Sequence, residues 1–330
     1  MENEAKKIVP QQDEARVGEE SYRPLQTPAA LKVIQGLRST TDGAAEVDSA
    51  DGQPLAVERF VPPVLYDGGT VEATLADHDG AIAWCQEHMG WKIAQQEPWT
   101  PGPEAAVGRM THMGWGVWIE SGETADGAPF PPARREAVDS GIRWCWSTRD
   151  LQRKRGEFLA AGIRVSELYD DPLGVRSFDF WAMPDGSMRL TAIEDATLAD
   201  EAFADANVFR IEVSDLRRSI EWYQRCIGME VREDRSSEGY AVMTLGINYH
   251  PEGRSVWVLE ECPDKPETGP IDGLIRTRCF IGDRAATFAY RQYLEDSGEN
   301  VIPMGGFTAR GKIVFHVYDP DGNRFDLSAY

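Results

Sequence analysis

Val208-Phe-Arg-Ile-Glu-Val-Ser-Asp215-Leu-Arg-Arg-Ser-Ile-Glu-Trp-Tyr-Gln-Arg-Cys-Ile-Gly228-Met229 holds one strand, one helix and the signals that separate them. Residues 208–213 alternate, so Phe209, Ile211 and Val213 share an apolar face and Val208, Arg210 and Glu212 the opposite one. Asp215 can cap a helix by accepting from its first free N–H groups, and Gly228 suits the left-handed turn that closes one. The same order occurs three more times. Val71–Leu75 precedes Asp77 and Gly90, Ile142–Trp146 precedes Asp150 and Gly162, and Ile275–Ile281 precedes Asp283 and Gly298. The intervals between successive Asp residues are 73, 65 and 68. That length suits a strand, a helix and three more strands, so the chain reads as four βαβββ units.

A second stretch closes the chain. In Phe315-His-Val-Tyr-Asp-Pro-Asp-Gly-Asn-Arg-Phe-Asp-Leu327, Asp-Pro-Asp-Gly makes a turn because Pro320 fixes its own φ and Gly322 accepts a positive one. Two strands flank it, with His316 and Tyr318 on one face and Asp326 on the return. Pro184-Asp185-Gly186 repeats the turn in the second unit, while Trp84-Cys85 and Trp222-Tyr223 relate the first and third helices. The units therefore alternate, and the expected organisation is a flexible arm over 1–62, a first half over 63–195, a linker over 196–206 and a second half over 207–330.

Composition narrows the partners. A net charge of −21 argues against nucleic acid or an anionic membrane, which need clustered Lys and Arg. No apolar run reaches the roughly 18 residues of a membrane helix, and the start is too polar for a secretory signal, so a cytoplasmic protein is expected. The five cysteines never form a Cys-x-x-Cys pair and suggest neither disulfides nor a thiolate zinc site. A small molecule is the expected partner; the oligomeric state, monomer or homodimer, stays open.

Val213–Tyr223 with Ile227-Gly-Met229, and Tyr318–Leu327, resemble the opening and closing segments of the vicinal oxygen chelate superfamily of glyoxalases, bleomycin-resistance proteins and extradiol dioxygenases. The resemblance covers about residues 64 to 330. It implies an α+β fold in which the four βαβββ units pair into two incomplete barrels with helices outside. Members that bind metal carry a His near the start of each opening strand and a Glu after the Asp-Pro-Asp-Gly turn. Matched residue by residue, the second half has Val208, Arg276 and Asp326 there, and the first half Thr70, Arg143 and Leu190. No metal and no other cofactor is therefore expected, although Glu212, His316 and Asp326 remain as an unorthodox ligand set.

Alternation also selects the cavity side chains. Val208, Arg210 and Glu212 join Arg276, Arg278 and Phe280 in the second half. Thr70, Glu72, Thr74, Arg143, Cys145, Ser147 and Phe180 line the first. Trp91, Trp99, Trp115, Trp118 and Trp181 are candidates for the wall of a flat ligand's pocket. The leading expectation is a metal-independent lyase, isomerase or cyclase. His316 would move a proton near neutral pH, with Asp326 or Glu212 orienting it, and Arg210, Arg276, Arg278, Tyr318 and Phe280 would hold the substrate. The alternatives are a non-catalytic binding or resistance protein and a metal-dependent oxygenase or glyoxalase. His88, His112 and His250 read as loop or helix-end residues without a chemical role.

Overall fold

The structure, a computed structural model, describes residues 65–75, 77–100, 107–113, 117–122, 141–199, 203–245, 255–265, 269, 275–305, 307–308 and 313–329. The arm expected over 1–62 lies outside them, as do Trp115 and His250. Thr70, Glu72 and Thr74 are placed by their backbone alone.

Unit one comprises β1 (Leu65–Leu75), α1 (His78–His88), β2 (Ile93–Thr100), β3 (Gly108–Met113) and β4 (Val117–Ser121). Unit two comprises β5 (Ile142–Thr148), α2 (Leu151–Ala160), β6 (Tyr169–Asp170), β7 (Arg176–Ala182) and β8 (Met188–Glu194). Unit three runs β9 (Phe203–Val213), α3 (Leu216–Trp222), a π-turn over Tyr223–Ile227, β10 (Met229–Arg235), β11 (Tyr240–Leu245) and β12 (Val256–Glu261). Unit four contains β13 (Arg276–Ile281), α4 (Arg284–Asp296), β14 (Phe307–Thr308), β15 (Ile313–Tyr318) and β16 (Arg324–Ala329).

Local chemistry sets each unit. Asp77, Asp150, Asp215 and Asp283 are the four helix N-caps, accepting from Gly80, Arg153, Arg218 and Ala285 N–H groups respectively. The last strand of each unit returns parallel to its own opening strand in all four cases: β1 with β4, β5 with β8, β9 with β12 and β13 with β16. That leaves one edge of each opening strand free for a partner unit.

The partners differ from those expected. β1 pairs antiparallel with β13, and β5 with β9, so unit one shares an eight-stranded sheet with unit four and unit two with unit three. The two halves, 63–195 and 207–330, do not each form a barrel of their own. The linker expected over 196–206 is also shorter, because Phe203, Ala204 and Asp205 already pair with Thr148, Ser147 and Trp146. We call the sheet of units one and four the outer barrel and the other the inner barrel. In the outer barrel, β14 pairs with β2 while Val301 and Gly305 bridge to Val317 and Val314 of β15, so one stretch of chain links the two edges of the sheet.

Apolar side chains on the helix side of both sheets form one continuous core. Phe325 of β16 lies 5.3 Å from Tyr223 and 5.5 Å from Trp257, ring to ring, which joins units three and four. Phe180 belongs to this core, 4.9 Å from Phe158 of α2, and does not face a cavity; Asp179 and Trp181 occupy the inward face of β7. The Asp-Pro-Asp-Gly turn fastens the same junction. Asp321 accepts from Ser214 N–H at 3.0 Å and from Ser219 Oγ–H at 3.3 Å, and Tyr223 donates to Asp319 Oδ2 at 2.6 Å.

Candidate functional site

The inward face of the outer barrel is charged at its floor and aromatic on its walls. Cross-strand register sets this face: Arg278 opposes Asp326, Asp326 opposes His316, and Tyr318 opposes Arg324. In the other half of the sheet, on the same face, Met110 opposes Glu120 and His112 opposes Trp118. Phe325, Phe315 and Cys279, on the helix side, are wholly buried, whereas Arg276, Arg324, His316, Trp118 and Phe280 retain 7–9% exposure. The inward face thus keeps slight contact with solvent.

Arg276 Nη2 donates to Glu120 Oε2 at 3.2 Å, over β1 from β13 to β4. Arg324 Nε donates to Asp326 Oδ1 at 2.9 Å, and the same oxygen accepts from His316 Nδ1 at 2.5 Å. Arg324 Nη2 also meets His316 Nε2. A guanidinium has only donors, so Nε2 must accept and the proton of the neutral ring sits on Nδ1, facing the carboxylate. Burial, reinforced by the charge of Arg324, pushes the His316 pKa down to about 4. Burial would raise Asp326, but Arg324 and His316 override it and hold the carboxyl below its ordinary value. The expected general acid or base near neutrality is therefore not what His316 provides. Its ring is neutral at pH 7 and both nitrogens are bonded. Among the described residues, Asp326 Oδ2 is buried without a hydrogen-bond partner.

Arg278 lies fully buried, with its Cζ 4.2 Å from the centre of the Trp118 ring and 6.0 Å from that of Phe280. Trp99, Met110 and Trp118 form an apolar cluster on the same inward face. His112 stands beside it on β3, neither in a loop nor at a helix end, with Nε2 2.9 Å from Glu97 Oε1.

The remaining predicted residues are elsewhere. Glu212 and Arg210 face the inner barrel, so the set Glu212, His316 and Asp326 is not brought together. Arg210 and Arg143, directly opposed on β9 and β5, both bond Glu260. Arg143 also lies 3.3 Å from Glu212, and Arg189 donates to Asp179 at 2.6 Å. Tyr169 donates to Asp179 and accepts from Arg210. Burial tends to lower Arg210, yet Glu260 holds its pKa above the ordinary value.

The two barrels repeat one arrangement. Glu72 opposite Arg276 corresponds to Arg210 opposite Arg143, and Thr74 opposite Glu120 corresponds to Glu212 opposite Glu260. Arg276–Glu120 and Arg143–Glu260 are thus the same pair, spanning one strand, made twice. Sequence reasoning missed both glutamates because it assigned faces to the opening strands and to the strands beside the Pro-Asp-Gly turns, and not to β4 and β12. The available signal was a Glu ending an apolar run, as in Val117-Trp-Ile-Glu120 and Val256-Trp-Val-Leu-Glu260.

A sequence model of the Glyoxalase/Bleomycin resistance protein/Dioxygenase superfamily matches residues 206–327. That match covers units three and four, the last third of the chain, which are similar to that superfamily. No curated protein sequence matches it. Its fold is similar to that of glyoxalase I from Zea mays, at 16% identity and a TM-score of 0.55, over 80% of this chain and 92% of that one. It is also similar to a putative dioxygenase from Bacillus subtilis, at 12% identity and a TM-score of 0.53, over 81% of this chain and 86% of that one. Metal-binding members of the superfamily place ligands on the opening strands. Here Arg276 and Arg143 occupy those strands, and Glu120, Asp326 and Glu260 are each ion-paired to arginine. A cation cannot share these carboxylates without displacing a guanidinium. Among the described residues, no group of three or more His, Cys, Asp or Glu side chains is arranged to hold a metal ion, so the described side chains do not fit the superfamily's metal.

Proposed function

We propose that this chain is a metal-independent enzyme of lyase or isomerase type that acts by acid–base chemistry on a small organic anion in the outer barrel. The observation that carries this reading is the Arg276–Glu120 pair. It puts a fixed guanidinium on the opening strand, where it favours negative charge on a ligand and on the species formed from it. Trp118 and Phe280 suit the flat, apolar part of such a molecule. The acid–base site is moved from the second-half cavity to the barrel of units one and four.

The test is incubation of the purified chain with small 2-oxo and 2-hydroxy carboxylates, followed by proton NMR with and without a chelator. Conversion that survives the chelator is expected; conversion that requires an added transition metal would refute the proposal. A second reading, sequestration of the ligand without turnover, is favoured by the bonding of both His316 nitrogens. Saturable binding of a carboxylate with no change in it would select that reading.

A further inference from the structure

We propose that His112, oriented by Glu97, is the side chain that takes up the substrate proton in the outer barrel; this rests on the acid–base reading above. His112 and His316 are the two histidines on the described inward face, and they differ in what their nitrogens can do. Both nitrogens of His316 are bonded. His112 uses Nε2 alone, 2.9 Å from Glu97 Oε1. Ionised Glu97 can only accept, so Nε2 carries the hydrogen and Nδ1 of the neutral ring presents a lone pair. Among the described residues, Nδ1 has no hydrogen-bond partner, and the side chain keeps 12% of its surface exposed.

The surroundings suit the step. The His112 ring lies 4.1 Å from the Trp118 ring, centre to centre, and the Arg278 guanidinium is 4.2 Å from the centre of that same Trp118 ring. A carboxylate with an acidic C–H, lying along Trp118, would give its proton to Nδ1. The C–H electron pair would remain on the ligand as an enolate-type anion, favoured by the field of the buried Arg278 guanidinium, and Glu97 would stabilise the imidazolium. Return of the proton to a different atom completes an isomerisation, and loss of a leaving group from the anion completes an elimination. Neither route needs an oxidant or reductant. His112 escaped sequence reasoning because the Met-Gly that follows it looked like a loop, while its place on β3 depends on pairing with β2 and β4.

The experiment has two arms on the full chain. In the first, ring-nitrogen NMR of the wild type at about pH 7.5 is expected to show His112 protonated at Nε2 and bare at Nδ1, a preference weakened in Glu97→Gln. A neutral ring protonated at Nδ1 would overturn the proposal without any substrate. In the second, pyruvate, 2-oxoglutarate, malate and mandelate are held with the protein in deuterium oxide, and loss of carbon-bound proton signal is followed. Wild type is expected to exchange at least one of them. His112→Gln, checked for native fold by circular dichroism, is expected to lower that rate by about 100-fold or more with unchanged ligand affinity. Undiminished exchange in His112→Gln would overturn the role of His112 and leave the acid–base reading standing. No exchange with any of the four would overturn both.

Discussion

Acid should unfold this protein partly through one ring. In the folded chain His316 takes its second proton only near pH 4, against about 6.5 when exposed. Between those values the unfolded state binds more protons than the folded one, so stability falls as pH falls. The shift corresponds to a limiting loss of about 3 kcal/mol, of which about 2 kcal/mol has gone by about pH 5. The physical event is protonation of Nε2 against the Arg324 guanidinium, which breaks the chain Arg324–His316–Asp326. Gln at position 316 can accept from Arg324 and donate to Asp326 but does not titrate. Urea unfolding of wild type and His316→Gln, at steps from about pH 7 to about pH 4.5, gives the two stability profiles. Wild type is expected to lose about 2 kcal/mol more than the variant by about pH 5. Parallel profiles would refute the depressed pKa.

Other outcomes follow from the same contacts. Glu260→Gln removes the counter-ion shared by Arg143 and Arg210 and is expected to cost about 3 kcal/mol in chemical denaturation, since it leaves buried guanidinium charge under-compensated. Asp321→Ala frees Ser214 N–H and Ser219 Oγ–H at the start of α3 and is expected to cost about 1 kcal/mol, with faster amide exchange at Ser214. Arg276→Met is expected to weaken binding of any carboxylate substrate at least 10-fold, by about 1.4 kcal/mol or more in a titration, because it removes the guanidinium held on β13 by Glu120.

What the sequence disclosed was local. The four capping Asp residues act within three residues of themselves, and strand alternation assigns a face without knowledge of any neighbour, which is why Arg276, Arg278 and Phe280 were placed on the inward side of β13. Which opening strand meets which is not local. β1 could add β5 or β13 at its free edge with similar hydrogen bonds, and the choice is made by packing such as Tyr223 and Trp257 on Phe325. The wrong partner moved whole residues between sites: Glu212 was assigned to His316, yet it stands beside Arg143 and Arg189 in the inner barrel. The ionic character of His316 was illegible for the same reason, since nothing in Phe315-His-Val-Tyr318 reveals that Arg324 donates to its second nitrogen.

The crossing of units has a consequence for synthesis on the ribosome. Units two and three are contiguous, so the inner barrel can close as soon as β12 has emerged. The free edge of β1 must instead wait for β13, and by difference Arg276 lies 155 positions after Ser121. At about 5–20 residues per second that interval is on the order of 10–30 s. During it the first unit holds an unpaired strand edge and half of a charged site, so slowed translation or an early stop after unit three should leave an aggregation-prone product with an intact inner barrel.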